Sequence, residues 1–293
     1  MKLRQPWLGP AMLLPAILYI LALVGVPFVL AFLYALGDVK IGSVGYHFVG
    51  LANFASVLEN PTFRTALRNS FVFTITSQIL TLVGGNILAL ALKEPFPGRR
   101  IIRLLILLPW VAPVSIGSIG WKWILDSLYS VVNWVLVHLH LVRPFDAPMW
   151  LGQPALAMIS VILVHTWHTL PFSTVILLAG WTSIPRDIPE AAAIDGAGYF
   201  RTLFQITLPM MLPIINVSVL FGIIVTFTDM TVIYILTRGG PYDSTQVLPS
   251  MAFFTGVLGS DLAEGAAISL FLVPLLMLVA WMMLRSAARA EVT

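Results

Sequence analysis

Cysteine is absent, and charge is scarce. Without a thiol the chain has no disulfide framework, no thiolate metal site and no cysteine nucleophile. Charged residues are 10% of the 293, against roughly 25% in soluble domains. Lys and Arg outnumber Asp and Glu only 16 to 13, so the net charge of +3 is no clustered nucleic-acid footprint. No G-x-x-x-x-G-K-[ST] run is present, which leaves no phosphate-cradling loop for ATP. His138 and His140, two apart, do not share a helix face and have no acidic cluster beside them, so neither a metal site nor a catalytic site is expected. What is abundant is apolar: 59% hydrophobic residues, with a mean hydropathy of +0.95. So much apolar surface needs a solvent other than water, and lipid is that solvent.

The gaps between charges mark the spans. A helix needs about 20 mostly apolar residues to cross the hydrocarbon, and one charge at its centre costs about 2.5–3.5 kcal/mol. Six charge-free gaps are long enough, which predicts an all-α polytopic membrane protein with six transmembrane helices, roughly 11–36, 69–92, 103–125, 155–182, 209–235 and 265–285. Two shorter stretches, Ser127–Val142 and Ser244–Ser260, read as interfacial or re-entrant helices. Placing the N-terminus inside puts ten Lys and Arg residues on the inner side and six outside, with the tight Lys93–Arg103 cluster inside. Both termini are then expected in the cytoplasm. The first apolar run reads as a retained anchor, and residues 1–293 as one transmembrane domain.

Polar side chains inside spans face the bundle interior or a wet cavity. Gln78 lies mid-way along helix two, and His165, Trp167 and His168 mid-way along helix four, where Pro171 removes a backbone hydrogen bond. These side chains either line a solute pathway or satisfy one another between helices. Asp229, about 30 Å along helix five from Pro209, belongs near the outer interface and suits a gate or a structural contact better than a solute site. Trp7, Trp110, Trp121, Trp123 and Trp150 fall near span ends, as interfacial aromatics do.

The inner loop of about 184–208, between helices four and five, carries the strongest signal. Asp187 is spaced to cap a helix with Glu190 at its third position, Pro189 suits the first turn, and Ala191–Ala193 are strong helix formers without bulk. Gly196 suits the residue that ends such a helix. A short, thin helix of this kind either plugs a groove on a cytoplasmic partner or lies on the membrane.

The spacing also matches a family. Glu190-Ala191-Ala192, three residues to Gly196, nine more to Ile206, then Leu208 and Pro209 resemble the EAA signature of binding-protein-dependent ABC importer permeases without a departure. Ile194-Asp195-Gly196-Ala197 and Ile206-Thr207-Leu208-Pro209 resemble the carbohydrate branch, the relatives of maltose, glycerol-phosphate and trehalose permeases. Phe48–Phe54 and the run from Asp229 to Pro241 look like further family segments. The resemblance implies a MetI-like permease subunit of an ATP-driven sugar importer in a bacterial or archaeal cytoplasmic membrane. Its implied partners are a second, similar permease, an ABC ATPase dimer that binds ATP and magnesium, and an extracytoplasmic solute-binding protein. It further implies a coupling helix over about Asp187–Ala197, with Asp187, Glu190, Ala191, Ala192, Asp195, Gly196 and Ala197 at the ATPase, and no cofactor in this chain. Another small solute, such as a polyol phosphate or polyamine, is the nearest alternative. A polytopic membrane enzyme needs a cluster of acids or histidines at one membrane face, which the sequence lacks.

Overall fold

The computed structural model describes residues 8–43 and 45–290. Lys2 and Arg4, Trp7 and the two chain ends lie outside them. Among the described residues the chain is helical, with two isolated β-bridges, Gly37–Phe48 and Lys40–Asp261. In chain order we label α1 (Ala11–Ala35), α2 (Ala52–Glu59), α3 (Pro61–Lys93), α4 (Arg99–Val111), α5 (Val114–Ile124), α6 (Val131–His138), α7 (Pro154–Ser183) and α8 (Asp187–Ile194). Then follow α9 (Leu208–Thr228), α10 (Thr231–Leu236), α11 (Leu248–Leu258) and α12 (Leu262–Met282).

Five stretches are long and apolar enough to cross a membrane: α1, α3, α7, Tyr199–Leu236 and α12. The third expected span departs from a straight helix over 103–125. It is broken into α4 and α5, which meet at 94°. The cause is local: Pro113 pushes the residue before it out of the helical region, and Ala112 accordingly sits extended at φ −68°, ψ 141°. Counting the bent pair as one span restores six. Helix five is broken as well, at Asp229–Met230. The stretches around α6 and α11 are too short to cross.

Two compact units form. One comprises the chain up to Phe63 with Met251–Val273. Here the end of α1 and α2 pack on the first half of α12. Asn53 ties off α1 by donating to the carbonyls of Ala35 (2.9 Å) and Gly37 (2.8 Å), which a helix end otherwise leaves unpaired. Phe271 meets Phe63 at 4.8 Å and Phe54 at 5.9 Å between ring centroids. Asp261 caps α12 through the Glu264 N–H (2.9 Å) and pairs with Lys40 at 3.7 Å. At the crossing of α11 and α12, a Cβ on Gly265 would collide with the backbone of Gly256 and come within 2.9 Å of the Ala252 carbonyl. Backbone cannot yield as a side chain can, so Gly265→Leu should cost about 1–3 kcal/mol of stability. An unchanged melting temperature for that variant in detergent would contradict the close crossing.

The other unit comprises Arg64–Ser250 and the chain from Pro274. Its core gathers Phe73, Leu125, Val161, Val164, Val232, Ile233, Leu236 and Val247. A second cluster joins Ala89, Leu177, Trp181 and Met211. Polar groups thread these apolar layers. On α3, Ser70, Thr74, Ser77 and Thr81 are all buried; their spacing of four, three and four puts them on one face. Thr81 meets Thr169 at 3.2 Å, Ser173 meets Ser218 at 2.9 Å, and Trp181 donates to Asn86 at 3.3 Å. Small hydroxyl-bearing residues let helices in lipid approach closely, although the Thr74 and Ser77 hydroxyls on the α3 face have no hydrogen-bond partner.

Candidate functional site: the inner loop and the polar core

The inner loop folds into the short helix that its residues dictate. α8 spans Asp187–Ile194, with Pro189 in its first turn, where an absent N–H costs nothing. The expected Asp187–Glu190 capping box does not form. The helix starts one residue earlier, with Arg186 at the cap position and no side-chain cap, and the Glu190 N–H bonds to the Arg186 carbonyl (3.2 Å). A cap at Asp187 would have put Pro189, which has no N–H, at one of the two positions a cap serves.

The other end is closed as expected. Gly196 adopts φ +78°, its N–H bonds to the Ala193 carbonyl (3.1 Å), and the Ala197 N–H bonds to the Ala192 carbonyl (2.9 Å). These two bonds make a complete Schellman motif. Glycine is required here by backbone conformation, since no atom of this chain lies within 4 Å of where its Cβ would stand.

Burial on α8 is one-sided. Ala192 is only 5% exposed and faces its own chain. Asp187, Glu190, Ala191, Asp195 and Gly196 are exposed, and Ala197 is half-buried. Beyond them stand large apolar groups open to their surroundings: Ile194 at 87% exposure, then Tyr199, Phe200 and Phe204. The chain next makes one turn over Tyr199–Thr202 and a wider π turn over Leu203–Thr207 before α9.

The polar residues inside the spans separate into two groups. His165 is 1% exposed, with Nε2 3.0 Å from the Thr226 hydroxyl and Nδ1 3.2 Å from an Asp229 carboxylate oxygen. Asp229 ends α9 in an extended conformation and accepts the Thr231 N–H (2.8 Å) at the start of α10. Gln78 is buried against Gly222, and with Thr81, Thr169, Ser173, Ser218 and Thr226 it lines a cavity of about 20 Å³, room for about one water. His168 and Trp167 lie against the broken span instead. His168 Nδ1 is 2.8 Å from the Pro109 carbonyl, beside Trp110, and Trp167 packs on Trp121 and on Gly117. The structure thus brings His165, Asp229 and Thr226 together, sets Gln78 across a small cavity from Thr226, and places His168 and Trp167 against the broken span. Thr226 escaped sequence reasoning, although its place three residues before Asp229 was a usable signal.

Residues 81–292, which hold both the inner loop and most of these polar residues, match the family of binding-protein-dependent transport system inner membrane components. The chain belongs to that family. As a permease of this kind it is 34% identical to the trehalose/maltose transport system permease protein MalF of Thermococcus litoralis, over 92% of this chain and 90% of the relative. It is 33% identical to the sulfoquinovosyl glycerol transport system permease protein SmoG of Agrobacterium fabrum, over 81% of this chain and 76% of the relative. Its fold is that of a chain in a bacterial ABC transporter for alginate import, with a TM-score of 0.79, 22% identity, and 99% of this chain and 97% of that one covered. The all-α architecture expected from the charge gaps, and the MetI-like fold that the resemblance implied, are therefore the architecture observed. The permease is a transmembrane subunit of a transport complex.

Proposed function

We propose that this permease forms half of the translocation pathway of an ATP-driven importer of carbohydrates and is worked from outside itself, through α8. The observation that carries this reading is the exposed end of the inner loop. Glu190, Ala191 and Gly196 present a low, unobstructed helix surface, and Ile194, Tyr199, Phe200 and Phe204 stand around it without cover from this chain. Large apolar patches open to water mark contact sites, and a surface without bulk admits close approach. The occupant is an ABC ATPase dimer, which binds the ATP and magnesium that this chain has no loop to hold. A second, similar permease completes the pathway, and a solute-binding protein delivers the sugar. Both units of the chain act as one permease domain.

Orientation follows from charge. Lys93, Arg99 and Arg186, from the two loops expected inside, line one cavity, so those loops share a side of the membrane. That side is the cytoplasm of a bacterium or archaeon. The sugar is supported by the names of the relatives, which handle trehalose, maltose and sulfoquinovosyl glycerol. Gln78, His165, Trp167, His168 and Asp229 act in shaping the pathway by holding the helices that border it. The cavity beside Gln78 has room for about one water, which suits helix packing at these side chains.

The test is assembly and transport. The tagged chain should bring down an ATPase subunit and a second permease, and the reconstituted complex should hydrolyse ATP faster when a sugar-loaded binding protein is added. A chain that purifies alone from its native membrane, or a complex stimulated by polyamine but by no sugar, would overturn the corresponding half of the reading.

A further inference from the structure

A cavity of about 770 Å³ lies where the end of α3, the start of α4 and the segment before α8 converge. Lys93, Arg99 and Arg186 line it, each from a different one of these segments, with Trp181 in the wall. Lys93 is already engaged, its ammonium 5.3 Å from the Trp181 ring centroid. Arg99 Nε is buried without a hydrogen-bond partner, an expensive position for a guanidinium. Two carboxylates, Glu94 and Glu190, share the lining. Among the described residues none of these five charges stands within ion-pair distance of an opposite one. Arg100 and Arg103 add to the same loop, so Lys93–Arg103 holds four cations and one carboxylate. On the face of α4 turned away from Arg99, Ile101, Leu104, Leu105 and Leu108 are exposed, as lipid-facing side chains are.

From this arrangement we infer that the cavity is a binding site for the headgroup of an anionic phospholipid, its phosphate held by Arg99 and Arg186. A guanidinium presents a planar fork of donors that suits a phosphate's oxygens. Basic pockets between helices at the cytoplasmic side take such headgroups, and each nearby cation contributes attraction.

The test quantifies lipid retained by the assembled complex, purified from nanodiscs of phosphatidylglycerol and phosphatidylcholine in equal parts. Phosphatidylglycerol should be enriched in the parent. Neutralising both arginines, Arg99→Gln with Arg186→Gln, should weaken that preference about 25-fold, at about fivefold per cation. Arg99→Lys with Arg186→Lys keeps the charge and should keep most of the preference, which separates lost binding from failed insertion. Equal retention of the two lipids by the parent overturns the site, as does an unchanged preference in the glutamine variant. Displacement of the lipid by millimolar inorganic phosphate would make it a free-anion site instead. If the glutamine variant loses its ATPase and the parent retains no lipid, the cavity belongs to the protein partner and the inference fails. Lipid retention is read without transport, so it stands or falls independently of the sugar.

Discussion

An Ala191→Trp variant should insert and fold as the parent does, yet lose uptake and much of its hold on the ATPase. Ala191 is exposed on α8, so the indole meets no atom packed in this chain. Under the proposed docking on an ATPase the same position meets a partner surface, where added bulk costs about 1–3 kcal/mol, or about 5- to 150-fold in association. The contrast with its neighbour sharpens the test. Ala192→Trp is aimed into the chain's own packing, where Ala192 is 5% exposed, and should lower the melting temperature of the isolated permease. Gly196 is a poorer probe of docking. Its φ of +78° makes any side chain strained before a partner is met. Measuring ATPase co-purification, uptake and melting temperature for Ala191→Trp and Ala192→Trp separates the two faces. Full uptake with Ala191→Trp would remove α8 from the coupling path, since two states can be driven only through a contact that differs between them.

Much of this fold was legible because lipid imposes so strict a rule. A charge in the hydrocarbon is costly enough that gaps between charges outline spans almost by themselves, and the long runs of α1, α3, α7 and α12 were found that way. The breaks were harder to place. Ala112-Pro113 was visible as a dipeptide, but whether a proline bends a span or is absorbed by it depends on what the neighbouring helices supply. Pro171, by contrast, sits inside α7 without ending it, with Thr169 bonded to the His165 carbonyl (3.0 Å) and Thr174 to the Leu170 carbonyl (2.8 Å) on either side. The end of α8 was legible at Gly196, because only a left-handed residue closes a helix in that way. Its start was not, because the competition between Arg186 and Asp187 for the cap turned on the N–H that Pro189 lacks. For the polar core, residue types announced that something polar was buried, while the pairing of His165 on α7 with Thr226 and Asp229 on the fifth span needed three dimensions.

That pairing makes Asp229→Ala the most damaging change expected inside the membrane. One residue does three things: its extended backbone ends α9, its carboxylate accepts the Thr231 N–H at 2.8 Å in a turn that leads into α10, and the same carboxylate faces His165 Nδ1 at 3.2 Å. The imidazole thus stands between the Thr226 hydroxyl, 3.0 Å from Nε2, and the Asp229 carboxylate. Alanine removes the acceptor of the Thr231 N–H at the helix break, at a cost of about 0.5–1.5 kcal/mol. An asparagine side chain keeps an oxygen for that N–H, so Asp229→Asn should retain most of that stability. A double-mutant cycle decides whether the three groups act as a unit. If they do, Asp229→Ala with His165→Ala loses less stability than the two single changes added together, because each single change already leaves its partner unpaired. Strict additivity in unfolding measurements would mean that Asp229 serves the helix break alone and that His165 is held by Thr226. The break then persists without the histidine, and movement between α9 and α10 is not restrained by α7.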